Sequence, residues 1–165
     1  MSIKWSDIKS ETMSMDEYLK EFEDRENIIH NFENYIPKSK HLAHIGEFME
    51  EIPRGLKIFV MGAGWCPDSS EQIPSMIKII KELKSDKIEM RILYGIKVNL
   101  LRKNGEILWD KNNSPPEAVD PKFDLVAIPT FYFFIDDEFV GRIVEHPKKF
   151  STLERDFCNI IKKCV

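Results

Sequence analysis

The residues best suited to chemistry are consecutive: Gly64-Trp65-Cys66-Pro67-Asp68-Ser69. A short apolar run, Leu56 to Met61, precedes them. A stretch from Pro67 to Lys84 follows, with Ile73, Met76, Ile77, Ile80 and Leu83 at helical spacing. A strand therefore ends, Gly62, Ala63 and Gly64 let the backbone turn, and Cys66 falls at the N-cap of a helix. First-turn N–H groups and the helix dipole favour an anion at that position. The nucleophilic form of cysteine is the thiolate, and at helix N-termini its pKa falls from about 8.5 to about 3.5–7.5. Pro67 suits the first helical position, where a missing N–H costs nothing. Ser69 can donate its hydroxyl hydrogen to the sulfur, whereas the Asp68 carboxylate would oppose ionisation by charge repulsion. Taken alone, Cys66 reads equally well as a small residue at a strand–helix junction.

The flanking elements decide between these readings. Ile88 to Tyr94 is a second strand candidate, so residues 56 to 94 form a βαβ unit with parallel strands. Upstream, residues 14 to 50 read as helical. Ser14 and Glu17 have capping-box spacing, Tyr18 through Ile36 form an apolar stripe that Pro37 ends, and a second helix runs from Ser39 to Glu50. Downstream, Asn104-Gly105 between apolar runs marks a hairpin within residues 96 to 116, and a short helix fits Glu117 to Asp124. Phe131 to Asp136 and Phe139 to Glu145 read as an antiparallel strand pair around Asp136-Asp137-Glu138. The tail from Lys148 to Lys163 is helical in pattern. On its stripe Cys164 lies toward the core, and Cys158 lies off it, toward solvent. The expected organisation is one globular unit, with residues 1-53 a helical extension packed on a domain of residues 54-165.

Composition narrows the function classes. The chain has 165 residues, a formal net charge of -4 and interspersed charges, which argues against nucleic acid or an anionic membrane as partner. No segment approaches the roughly 18 apolar residues of a membrane span, the first ten residues lack a signal-peptide core, and a cytoplasmic location is expected. Three cysteines, Cys66, Cys158 and Cys164, are too few for a disulfide scaffold and lack zinc-site spacing. His41 and His44 sit one helical turn apart without a third ligand, and Asp136-Asp137-Glu138 is too sparse for calcium. No metal and no cofactor is expected.

Trp-Cys-Pro-Asp-Ser after a strand resembles the Trp-Cys-x-x-Cys loop of the thioredoxin superfamily, with Ser69 in place of the second cysteine. Pro74 falls where that family carries a helix-kinking proline. Ile128-Pro129-Thr130 resembles its Ile-Pro-Thr, which supplies a cis-proline beside the reactive cysteine. The resemblance covers about residues 54 to 163. It implies an α/β thioredoxin-like fold: a central mixed sheet flanked by helices, here with an N-terminal helical extension and a hairpin-like insertion. It further implies that Cys66 and Ser69 carry the chemistry, that Trp65, Pro67, Ile128 and Pro129 bind an extended substrate segment, and that Arg91, near a basic position of the family, helps to stabilise a thiolate. Val60 stands where the family buries an acidic residue.

Three functions remain open at this level. The first is a monothiol thiol–disulfide oxidoreductase whose Cys66 forms mixed disulfides with protein thiols or disulfides, or with a low-molecular-weight thiol. The second is a redox-inactive binding module on the same fold. The third is a Cys-x-x-Cys protein in which Ser69 is an engineered replacement. An iron–sulfur role fits less well, because Pro67-Asp68 stiffens the loop and adds charge. Oligomeric state is not legible.

Overall fold

The computed structural model describes residues 1–165. Its helices are α1 (Met15–Glu21), α2 (Glu26–Asn34), α3 (Ser39–Glu50), α4 (Pro67–Leu83), α5 (Pro116–Val119) and α6 (Leu153–Lys162). Its strands, β1 (Leu56–Met61), β2 (Ile88–Leu93), β3 (Thr130–Ile135) and β4 (Glu138–Val144), form one mixed sheet in the order β2-β1-β3-β4. β1 and β2 run parallel, from Leu56 opposite Ile88 to Met61 opposite Leu93. Such a pair needs a long crossover, and α4 supplies it. β3 lies antiparallel to both β1 and β4.

Both faces of the central strands are apolar. Ile58, Val60, Phe131 and Phe133 face a core shared with α4 and α6, which also takes Tyr18, Ile28, Ile45 and Met49 from the N-terminal helices. The extension is thus continuous with the core of the βαβ unit. Phe59, Met61, Tyr132 and Phe134 face a second core, closed by Trp109, Ala118, Phe123, Leu125 and Ile128. Residues 96 to 116 do form a narrow hairpin-like excursion: Val98 bridges Trp109, Asn99 N donates to Leu108 O at 2.8 Å, and Asp110 N donates to Lys97 O at 2.7 Å. Trp109 is only 4% exposed and donates Nε1–H to Leu125 O at 2.7 Å, so this excursion belongs to the core.

Two sequence expectations need correction. The helix read across residues 14 to 36 is broken between Glu21 and Glu26 and stops at Asn34. Glu23 and Asp24 are unfavourable at the C-terminal end of α1 and favourable before the N-terminus of α2, so the charges place the break. Ile36, on the apolar stripe, is 87% exposed, because the residue before Pro37 is driven out of the helical region. At the C-terminus the expectation for Cys158 fails and that for Cys164 holds in part. Cys158 is buried in the first core, whereas Cys164 is half-buried at its edge. Glu154 and Asp156, also buried, are hydrogen-bonded to Tyr35 and Lys38 and to Ser151 and Lys148 respectively.

Pro74 lies inside α4. Without an N–H it cannot satisfy the carbonyl four residues earlier, and that carbonyl belongs to Ser70, a buried residue. Asn31 Nδ2 of α2 donates to it at 3.0 Å. Replacing Asn31 with Ala should leave the carbonyl unpartnered and cost about 1–2 kcal/mol. Urea unfolding would read this as a lower midpoint with an unchanged slope.

Glu117 of α5 ties down the N-terminal segment. Its buried carboxylate accepts from Lys9 N at 2.7 Å, Ser10 N at 2.9 Å and Ser10 Oγ at 2.6 Å. Burial is the largest single influence and opposes ionisation. The hydrogen bonds from Ser10 and Lys9 together outweigh it and hold the pKa below the ordinary glutamate value. A carboxylate depressed on folding stabilises the fold above its unfolded pKa and loses that contribution as pH falls through the folded value. Glu117→Gln should therefore be less stable at pH 7 and show a shallower loss of stability on acidification, measured by urea midpoints across the acid range.

Candidate active site

The loop that carries Cys66 is shaped by a close approach. A Cβ at Gly62 would lie 2.8 Å from Ile73 Cδ1 and 2.9 Å from Ser69 Oγ, so a side chain there would displace both where the end of β1 approaches α4. Cys66 follows as the N-cap of α4, with φ −91° and ψ 118°, and Pro67 opens the helix. The Cys66 carbonyl accepts the helical bond from Ser70 N at 3.1 Å.

Cys66 is buried, 7% exposed as a residue, and Sγ donates to Ile128 O at 3.5 Å. The Ile128–Pro129 peptide is cis, and Pro129 O accepts from Glu145 N at 2.6 Å. Trp65 is 54% exposed and donates Nε1–H to Ile96 O at 2.9 Å. The fold therefore gathers Trp65, Cys66, Pro67, Ile128 and Pro129 in one place, with Trp65 more than half exposed and Cys66 buried.

Two expected roles are not seen. Ser69 is fully buried, and its Oγ accepts from Ala63 N at 3.3 Å and makes no hydrogen bond to Sγ. One helical turn after the N-cap, its side chain points back into the strand–helix turn. Arg91 lies at the outer edge of β2, where Nε donates to Glu89 Oε2 at 2.7 Å and the guanidinium lies 5.7 Å from the Trp5 ring centre. It is engaged there, on residues outside the Cys66 loop.

The groups that do surround the loop come from elsewhere. Tyr94, just after β2, has its ring edge 3.2 Å from the Cβ position of Gly62. Its hydroxyl is 2.9 Å from that of Tyr18, and the two rings pack with Phe22 at centroid distances of 4.9 to 5.4 Å. The Tyr94 hydroxyl is pushed up to about 12, chiefly by burial, against the lowering effect of the Tyr18 bond and the Arg25 charge. Arg25 Nη2 donates to Gly64 O at 3.3 Å. On the far rim, His146 is held protonated to higher pH than usual, chiefly by the Pro147 carbonyl 2.9 Å from Nδ1, with Glu145 and Asp68 adding to it. No local pattern marked these residues. Arg25 lies in an acidic run and Tyr94 closes an apolar strand, and only the tertiary fold brings them to the cysteine. No group of three or more His, Cys, Asp or Glu side chains is placed to hold a metal ion.

A protein-family model described as thioredoxin matches residues 12–97. Among solved structures, a protein of unknown function from Pseudomonas aeruginosa superposes with a TM-score of 0.58 at 17% identity, covering 87% of this chain and 86% of that one. An HIV epitope-scaffold gives a TM-score of 0.57 at 17% identity, with 87% of each chain covered. Mitochondrial thioredoxin 3 from Saccharomyces cerevisiae gives 0.42 at 18% identity, over 72% of this chain and 89% of that one. No curated protein matches this chain.

The Ser69 geometry is open to direct test. Ser69→Ala should strand the N–H of Ala63, a residue that is 1% exposed, and lower stability by about 1–3 kcal/mol. An unchanged urea midpoint would mean that this bond contributes nothing.

Proposed function

The chain belongs to the thioredoxin family, and from that premise we propose that it is a monothiol thiol–disulfide exchanger with Cys66 as its nucleophile. The observation that carries the reading is the seat of Cys66. It caps α4, and Sγ lies 3.5 Å from Ile128 O beside the Pro129 turn. In the proposed reaction the Cys66 thiolate attacks one sulfur of a disulfide. A Cys66–sulfur bond forms, the old sulfur–sulfur bond breaks, and the departing thiolate takes a proton from water. A second thiol, ionised, then attacks the mixed disulfide and restores the Cys66 thiolate.

Residue 69 is serine, so the resolving thiol must come from outside the reactive loop. Cys158 is buried in the first core, and Cys164, just past the end of α6, packs half-buried against it. The resolving partner in this proposal is therefore a protein thiol or a low-molecular-weight thiol. The three unpaired thiols suit a reducing compartment such as the cytoplasm. No helix is long and apolar enough to cross a membrane.

A second reading, a binding module without turnover, draws support from the same loop. The sulfur is nearly covered, and the Ser69 hydroxyl is turned away from it. Mass spectrometry of the Cys158→Ser/Cys164→Ser variant incubated with oxidised glutathione separates the two. The exchange reading expects one added glutathione, lost when Cys66→Ser is added and removed again by a free thiol. Failure to form any adduct under these conditions would leave the binding module in front.

A further inference from the structure

Arg25 belongs to none of the elements that build the reactive loop. It precedes α2, and its backbone is fixed there, with its N–H donating to Phe22 O at 3.0 Å and its carbonyl accepting from Ile28 N and Ile29 N, each at 3.1 Å. From this anchored position the side chain reaches the loop. Nη2 donates to Gly64 O at 3.3 Å, and Nη1 would lie 3.7 Å from a Cβ at Gly64. Gly64 is two residues from Cys66, so their Cα atoms are separated by no more than about 7 Å.

A guanidinium carries five N–H donors in a planar fork suited to carboxylates. The bond to Gly64 O is the one hydrogen bond that the Arg25 side chain makes, and the residue is exposed. Glu23, Asp24 and Glu26 surround it in sequence, yet Arg25 takes part in none of the ion pairs. A chain of net charge -4 thus leaves an unpaired cation beside its reactive cysteine. Holding one carbonyl uses a single donor and leaves four free.

We propose that Arg25 anchors a carboxylate of the molecule that exchanges with Cys66, so that the site takes acidic low-molecular-weight thiols and their disulfides. This rests on the exchange reading and names its substrate class. The sulfur and the terminal carboxylates of a short peptide thiol are separated by a span comparable to that between Cys66 and Gly64. A nearly covered sulfur also admits a slender ligand more readily than a folded surface. The N-terminal extension thereby contributes a recognition residue as well as a packing face.

S-methylglutathione tests the anchor without exchange, because its sulfur is blocked. Backbone amide shifts of Gly64, Trp65 and Cys66 should move saturably as it is added. Arg25→Gln should weaken that binding about tenfold or more, the loss expected for one charge-assisted contact, and Arg25→Lys should restore part of it. Esterifying both carboxylates of the probe should weaken binding to the unaltered protein by the same factor, which keeps the test valid if a variant fails to fold. Absence of binding to the unaltered protein, or equal binding by Arg25→Gln or by the ester, overturns the proposal. Failure of the exchange reading shows separately, as no glutathione adduct on Cys66.

Discussion

A strand that is apolar on both faces has to be covered twice, and most of this structure follows from that demand. β1 and β3 present Ile58, Val60, Phe131 and Phe133 to one side and Phe59, Met61, Tyr132 and Phe134 to the other. Fully burying one such side chain is worth about 1.5–3 kcal/mol, so neither face can be left to water. Five helices close the first face. The second is closed by the long connection between β2 and β3, pinned by the indole of Trp109. The reactive loop sits where both covers meet the end of β1. One side reaches it through Arg25 on Gly64, and the other through Ile96 on Trp65 and Ile128 on Cys66.

The same geometry explains why the first turn of α4 is held so firmly. Gly62 brings the end of β1 close enough for Ser69 to accept the Ala63 N–H. One turn later, Pro74 removes a donor and Asn31 replaces it from α2. A serine at position 69 therefore has a structural task, independent of any chemistry at the sulfur. The hydroxyl satisfies a buried amide, an interaction that a thiol, as a weaker hydrogen-bond acceptor, would make less well.

Much of the fold was legible from local pattern. Leu56 to Met61 forms a strand over those very residues, the capping box at Ser14 and Glu17 closes with bonds of 2.9 and 3.1 Å, and the helix after Pro67 ends one residue before Lys84. Each of these depends on neighbours in sequence. The errors arose where distant residues decide. Ile36 fits an apolar stripe but lies past a helix end set by Pro37. Cys158 lies off the stripe of α6 yet is buried, because α3 and α4 also pack against that helix. In the site, Cys66, Trp65 and Pro129 were marked by motif. Arg25 and Tyr94 were not, since no spacing rule connects residues 25, 64 and 94. Arg91 was placed by analogy of position, and the neighbours Glu89 and Trp5 that hold it elsewhere are particular to this chain.

The tether from Trp65 to Ile96 has an optical consequence. Of the three tryptophans, Trp109 is buried and Trp65 is more than half open to solvent, with its N–H already engaged by a carbonyl. The chromophore most sensitive to changes in hydration thus stands next to the sulfur, and its hydrogen bond keeps it from swinging away. A molecule settling against Cys66 would displace water from that indole and move its emission toward the blue, giving the unlabelled protein its own gauge of site occupancy.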